Sequence, residues 1–511
     1  MNKIKTMESW KKVVERMRRK KPKLFSKGEG DEIAEYLYSV RGKKGKKKKV
    51  GKITPEKKDH SGVSKGPANT QNKLSVTKNE NGHFNFKKLD IHQFIEPDQC
   101  AGCHDEIFKQ WTGSMHNNSF NDPFWKATTK LFAEEAKTEG EIVEIKMCIK
   151  CHAPLGFRSG TITSPKDDFD NVPGILKQGL FCNWCHNISE AKSIENADYE
   201  LDPGDGDDPS SMLGPFDDSI SDFHPSKFSK LHTSSDFCGL CHNVSHGVNL
   251  TPIESTYDEW KKGPYNTGDP KTTVHCQDCH MRQTPSVAST GKTERPDNPG
   301  FACSSGPKRP HIPTHYFVGG NTIPGEGFGN KLHQKMATHR LKNAADLEII
   351  ESGNYRKSSM AVIKVKVINS GAGHYLPTGM SEIRQMWLDI KVKDGANRVI
   401  FSSGFVDKGG KVDPEAVMYN TVLGNSKGEP IINIALADRV LKDYRIPPKG
   451  YVMEHYSFFI PGYIHGSLTV EVTLRYRSSS QALVNRALKD KAPKLPIIDM
   501  VKANVSIDIN S

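Results

Sequence analysis

The sequence predicts a multidomain protein: a module of short helices and loops, packed around something other than side chains, followed by an antiparallel β-sandwich. Three observations predict it. Only 35% of the 511 residues are apolar, 8% are aromatic and 43 are glycine, which is thin for the two or three cores that such a length suggests. One cysteine motif recurs five times between residues 100 and 280. From about residue 346 apolar residues begin to alternate with polar ones, the period of a half-buried strand.

At the N-terminus, residues 10–19 and 31–40 read as two short helices, the second carrying Ile33, Ala34, Tyr36, Leu37 and Tyr38. A basic run from Arg41 to Lys49 opens a polar stretch, and 42–87 reads as a flexible basic linker. Residues 1–80 hold 24 Lys or Arg against 9 Asp or Glu, a net +15; the rest carries 48 against 51, a net −3. The overall +12 therefore belongs to the tail, and nucleic acid is not expected as a partner of the folded body. No apolar run reaches the roughly 18 residues of a membrane span. Met1 to Trp10 shows a charged start without an apolar stretch behind it, so no secretory signal is visible.

Ten of the eleven cysteines fall into Cys-x-x-Cys-His: Cys100, Cys103 and His104; Cys148, Cys151 and His152; Cys182, Cys185 and His186; Cys238, Cys241 and His242; Cys276, Cys279 and His280. On one helical turn the thiols at i and i+3 share a face and can form thioethers with the two vinyl groups of one haem, while the His at i+4 becomes an iron ligand. Zinc would pair such motifs into tetrahedral sites and leave an odd number unexplained, and a disulfide framework gives no reason for the His. Five covalent haems c are therefore expected. Motif starts are 48, 34, 56 and 38 residues apart, so the macrocycles stand close together and supply the apolar core that side chains do not. The pentahaem module is placed at 88–300.

The sixth iron ligand separates a haem that passes electrons from one that also binds a substrate. Of twenty His, fifteen lie outside the motifs. His116 ends an amphipathic run with Ile107, Phe108, Trp111 and Met115 at helical spacing. His232 and His246 flank the fourth motif, and His315 and His374 sit in Gly-rich settings. These five are the distal candidates; His224, His275, His311, His333 and His339 rank below them, and His60 and His83 fall in the tail. Bis-His ligation is the expectation. The acidic loop from Asp202 to Asp208 is open to two readings, a calcium site or a solvated turn without the closing Glu of an EF-hand. Cys303, the odd cysteine, reads as an idle thiol rather than a link to another chain.

Residues 301–345 form a connector with Pro307, Pro310, Pro313 and the Gly319-Gly320 pair, ending in a helical stretch over 332–345. Beyond it, 346–511 shows period-two runs at 363–367, 388–393, 399–405, 451–460 and 468–477, at least five strands of an antiparallel sandwich. This part has no Cys, so it attaches no haem, but it can lend His374 to one.

The segment from Gln99 through His104 to Trp111-Thr-Gly-Ser-Met-His116 resembles the opening of the cytochrome c-552/c-554 domain family of multihaem electron carriers. The run Cys148 to Leu155, Tyr257-Asp-Glu-Trp260 and Cys276 to Met281 fit the same kind of protein. The segments His315 to Asn321 and Gly371 to Gly379 resemble parts of larger members that end in a β domain. The resemblance spans roughly 88–505 and implies His116 as a distal ligand, periplasmic or extracellular work, and redox partners that are other cytochromes or a membrane oxidoreductase. Residues 1–41 resemble the last helices of a monohaem cytochrome c domain, so a signal peptide and a sixth motif are expected upstream of Met1. Electron transfer is the leading function. A multihaem reductase or oxidase of a small nitrogen or sulfur compound at a five-coordinate haem is the alternative. A filament subunit with ligands shared between copies is a third, which leaves homo-oligomers open.

Overall fold

The computed structural model describes residues 88–510 apart from 206, 207, 222, 305 and 352, together with a few scattered residues before 88. The two expected N-terminal helices, the basic linker, His60 and His83 lie almost wholly outside the described residues. The chain divides into two units, Met1–Asn69 and Thr70–Ser511.

Helices of the second unit begin where local chemistry caps them. Helix α1 (Asp105–Thr112) has acidic residues in its first turn and buries Trp111, whose indole N–H donates to the Leu180 carbonyl at 2.8 Å. Helix α2 (Pro123–Glu135) starts with Pro at its first position, and Asp122 accepts from the amides of Phe124 and Trp125. Helix α3 (Glu139–His152) opens on a reciprocal cap between Thr138 and Glu141 and runs straight into the second motif. Helix α4 (Lys331–Lys342) is capped by Asn330 and occupies the expected 332–345 stretch, stopping three residues early. Helix α5 (Gln481–Leu488), capped by Ser480, packs against α2 through Phe124, Leu483 and Val484. As expected of the haem module, its remaining described α-helices are only four to six residues long.

The five period-two runs are strands, β2 (Ser359–Ile368), β3 (Gln385–Lys393), β4 (Val399–Ser403), β5 (Tyr451–Ile460) and β6 (Ser467–Arg477), and two strands that no such run marked join them, β1 (Asp346–Glu351) and β7 (Ile498–Asn510). One sheet has the order β1-β2-β5, antiparallel throughout, with Ile363 opposite Tyr456. The other runs β7-β6-β3-β4, with Leu388 opposite Leu474 and the short Tyr355–Arg356 added parallel to β7. Ile363, Val365, Val367, Phe458 and Ile460 from the first sheet share one buried cluster with Leu388, Ile390, Val470 and Leu474 from the second. Strand β3 departs from clean alternation, because Met386 through Ile390 are all buried. Its outward residues are covered too: Trp387 donates to the Gly404 carbonyl at 2.9 Å, and Asp389 pairs with Arg475 at 2.7 Å.

Buried polar contacts tie the sheets to the helical part. Glu259 accepts from the Tyr375 amide (3.0 Å) and the Thr378 hydroxyl (2.7 Å) and pairs with Arg445. Asn433 donates to the Phe132 carbonyl at 3.0 Å. No described helix is long and apolar enough to cross a membrane.

Candidate functional site

Each motif folds as a single helical turn, because the His amide reaches back to the carbonyl of the first Cys: His104 to Cys100 at 2.9 Å, His186 to Cys182 and His242 to Cys238 at 3.0 Å. The second and fifth motifs lie within α3 and the helix Cys276–His280. That turn puts both thiols and the imidazole on one face. No disulfide joins any of the eleven cysteines.

The motif imidazoles share a second feature. Nδ1 of His104 faces the Ala302 carbonyl at 2.6 Å, that of His186 the Leu213 carbonyl at 2.6 Å, that of His280 the Val318 carbonyl at 3.2 Å, and that of His152 the Ser119 carbonyl at 3.3 Å. Nδ1 of His242 meets the Glu254 carboxylate at 3.1 Å. A carbonyl can only accept, so Nδ1 carries the proton and Nε2 keeps its lone pair, which in His280 faces the Arg340 guanidinium at 3.4 Å. Burial holds His152 neutral with a pKa near 4, and pushes those of His186 and His280 down as well. Burial also works against protonation of His242, but Glu254 overrides it and raises its pKa to about 9.

Motif cysteines distant in sequence lie side by side. Cys100 lies beside Cys182, Cys151 beside Cys241, and Cys238 beside Cys276. Cys185 lies close to both Cys238 and Cys241. In space the first motif thus adjoins the third, the third adjoins the fourth, and the fourth adjoins the second and the fifth.

The non-motif histidines divide by their ring nitrogens. His116 lies against His242 with ring centres 6.3 Å apart, its pKa lowered to about 3 by burial and by His242, His315 and His152. His224 faces His104 at 6.4 Å, with Nδ1 near the Pro225 carbonyl. His315 and His374 direct Nδ1 to the carbonyls of Pro313 and Tyr375, both at 2.9 Å. Their electrostatic neighbours include His186 for His315 and His280 for His374. His232 stacks on His186 at 5.7 Å, yet its Nδ1 meets the Ser229 hydroxyl and its Nε2 the Cys185 carbonyl. His246 places Nε2 against the Ala435 carbonyl and Nδ1 against the Val248 amide. His333 has both nitrogens engaged, with Asn330 and the Gln110 carbonyl. His152 stacks on the Trp125 indole at 4.9 Å, with His116 and His242 among its electrostatic neighbours.

Metal–imidazole bonds of about 2 Å on opposite sides of one ion set ring centres roughly 6 Å apart, the spacing of His104–His224 and His116–His242. The donor set fits haem c. Part of the acidic loop, Gly206 and Asp207, lies outside the described residues, and among those described no three His, Cys, Asp or Glu gather as a metal cluster.

Residues 99–187, which hold the first three motifs, match the family described as cytochrome c554 and c-prime. The chain carries a domain of the multihaem cytochrome c554 family. Its fold is similar to the crystal structure of a penta-heme cytochrome c552 from Thermochromatium tepidum, with a TM-score of 0.55 at 18% identity, covering 82% of this cytochrome and 100% of that chain. A CARDB domain from Pyrococcus furiosus is also found, at 9% identity over 32% of this cytochrome and 87% of that chain, but its TM-score of 0.16 carries no argument. No curated protein matches the sequence. Haem binding and electron transfer are thus properties of this cytochrome's family. Three residues at its motifs are poorly marked in the sequence: His224 ranks below the five leading distal candidates, and Glu254 and Arg340 have no motif to single them out.

Proposed function

We propose that the cytochrome binds five haems, one on each motif, and conducts electrons among redox partners outside the cytoplasm, where haem is attached to c-type cytochromes. When bound, each haem supplies a one-electron iron couple. The chain fixes where those couples stand. Motif cysteines would hold the macrocycles, and Nε2 of the motif histidines would bind the iron. His224, beside His104, His116, beside His242, His315, near His186, and His374, near His280, would be the further iron ligands. His232 and His246, although adjacent to the fourth motif in sequence, are assigned to packing because their ring nitrogens are taken by protein partners. The two sheets with their shared cluster are read as a sandwich that buttresses the module and lends it His374.

The observation that carries this reading is the spacing of His104–His224 and His116–His242 at 6.4 and 6.3 Å, each pair joining a motif to a distant loop. Contacts between motif cysteines support a branched conductor with the fourth motif at its hub. One observation favours a second reading: the His152 ring is covered by the Trp125 indole, at 4.9 Å, rather than by a second imidazole. An open iron position there suits a small nitrogen or sulfur compound. EPR of the oxidised protein distinguishes the two, since four low-spin ferric haems and one high-spin are expected with an open second motif, and five low-spin haems leave only the carrier. Two or more high-spin signals would overturn the ligand assignment.

A further inference from the structure

Strand β5 is the edge of its sheet. Its ladder with β2 runs unbroken over ten residue pairs, from Ser359 opposite Ile460 to Ile368 opposite Tyr451, and β1 lies on the far side of β2. An antiparallel strand turns half of its N–H and C=O groups to each side. Outside that ladder, no backbone group of β5 is hydrogen-bonded to another part of the chain among the described residues. The strand therefore presents a row of unpaired donors and acceptors along its length, a template for one more strand.

Edges that stay open in monomers are blunted by charge, proline or a bulge. Strand β5 turns Tyr451, Met453, His455, Ser457 and Phe459 outward, with no Lys, Arg, Asp, Glu or Pro among them and no shift of register. Tyr451 is 59% exposed and Phe459 53%. The exposed Met360 stands opposite Phe459, with exposed Val362 and Ile350 on the same sheet, so apolar surface reaches the edge. The charges of this sheet nearby, Lys366 paired with Glu348 at 3.1 Å, sit on β2 and β1 behind it. The inward residues hold the strand in place: Glu454 accepts from the hydroxyls of Tyr419 (3.3 Å) and Tyr444 (2.7 Å), and Tyr456, Phe458 and Ile460 belong to the shared cluster.

The outward residues are self-complementary. His455 lies midway between Tyr451 and Phe459. An antiparallel copy of β5 with His455 opposite His455 sets each Tyr451 against a Phe459 and each Met453 against a Ser457, all on one face. Two aromatic cross-strand pairs result. A shift of one residue turns outward side chains against inward ones, and a shift of two loses both aromatic pairs. The arrangement is a two-fold axis, which closes after two copies. We propose that a second copy of this chain docks on β5, joining two three-stranded sheets into one across a two-fold axis at His455.

The test measures the mass of the holoprotein by sedimentation velocity over a range of concentrations, where wild type is expected as a dimer. Phe459→Asp sets a carboxylate against Tyr451 and should weaken the dimer roughly tenfold or more, the worth of two aromatic pairs. Adding Tyr451→Lys to it creates an ion pair at each of the two places and should recover the dimer. Residues directly opposite in an antiparallel pair have Cα atoms about 4.5–5.5 Å apart, within disulfide range. In a Cys303→Ser background, His455→Cys should therefore give a cross-linked dimer under mild oxidation, and Ser457→Cys, which faces Met453, should not. A wild-type monomer at every concentration overturns the proposal and leaves the edge to a strand of another protein. Assemblies larger than a dimer, a Phe459→Asp dimer as tight as wild type, or Ser457→Cys cross-linking as readily as His455→Cys overturn it too. If Phe459→Asp does not mature, the cysteine pair decides alone, and the absence of a His455→Cys cross-link overturns it.

Discussion

His224 and His232 flank one short stretch of chain, and their ring nitrogens rather than their places in the sequence separate them. Nε2 of His232 is spent on the Cys185 carbonyl, while His224 stands across from His104 with only its Nδ1 engaged. His224→Ala is therefore expected to turn one low-spin ferric signal high-spin in EPR, and His232→Ala to leave the ligation unchanged; the reverse result would exchange their roles. The place of His224 opposite His104 was not legible in the sequence, because a loop brings it there without periodicity. His116 was singled out by its amphipathic run, and its ring lies 6.3 Å from that of His242. Glu259 invites a second test at this scale. It collects the Tyr375 amide, the Thr378 hydroxyl and Arg445 inside the fold; Arg445 keeps Asp443 when Glu259 is lost, so Glu259→Ala, which leaves the other donors unpaired, should cost about 1–3 kcal/mol in denaturant unfolding. A loss within that of a surface substitution, roughly 0.5 kcal/mol, would show that the pair contributes little.

Elements were read best where the chain repeats a period. Alternation of apolar residues with Lys marked β2, and the run through Leu468, Val470, Val472 and Leu474 marked β6, because one face of each meets the shared cluster and the other does not. Strand β3 hid its full burial: Asp389 looks like an outward residue and is covered by Arg475. Pairing of the motifs was not legible either, since contact between Cys100 and Cys182 or Cys151 and Cys241 depends on loops whose paths no local pattern dictates. One such loop turns at Gly179, with φ +63°, where a side-chain carbon would come within 2.6 Å of the His116 carbonyl and 2.7 Å of the Asn117 carbonyl. Left-handed backbone and close approach both call for glycine there. Gly179→Ala is expected to destabilise by roughly 1–3 kcal/mol and to disturb the haem served by His116, read as a change in the low-spin EPR signals; a protein unchanged in both stability and spectrum would refute the constraint.

At the scale of the whole molecule, composition gave the first clue that the core is not made of side chains alone, and the charge count separated a basic tail from a mildly acidic body. On the proposed reading function is divided along the chain in another way: the motifs attach the haems, while the sheet part holds His374 and is fastened to the helical part through Glu259 and Asn433. Two truncations test that division. Residues 70–511 form a unit of their own, so a chain starting at residue 70 should keep the full covalent haem count and the spin states of the intact protein. A chain of residues 70–345 still contains every motif but lacks His374 together with the partners of Glu259 and Phe132. Its expected outcome is one additional high-spin haem, at the fifth motif, and a lower unfolding midpoint, because the ligand and the buried polar seam are lost together. Spin states identical to those of the longer chain would mean that the helical part completes its own haem ligation and that the sheets serve something other than the fifth haem.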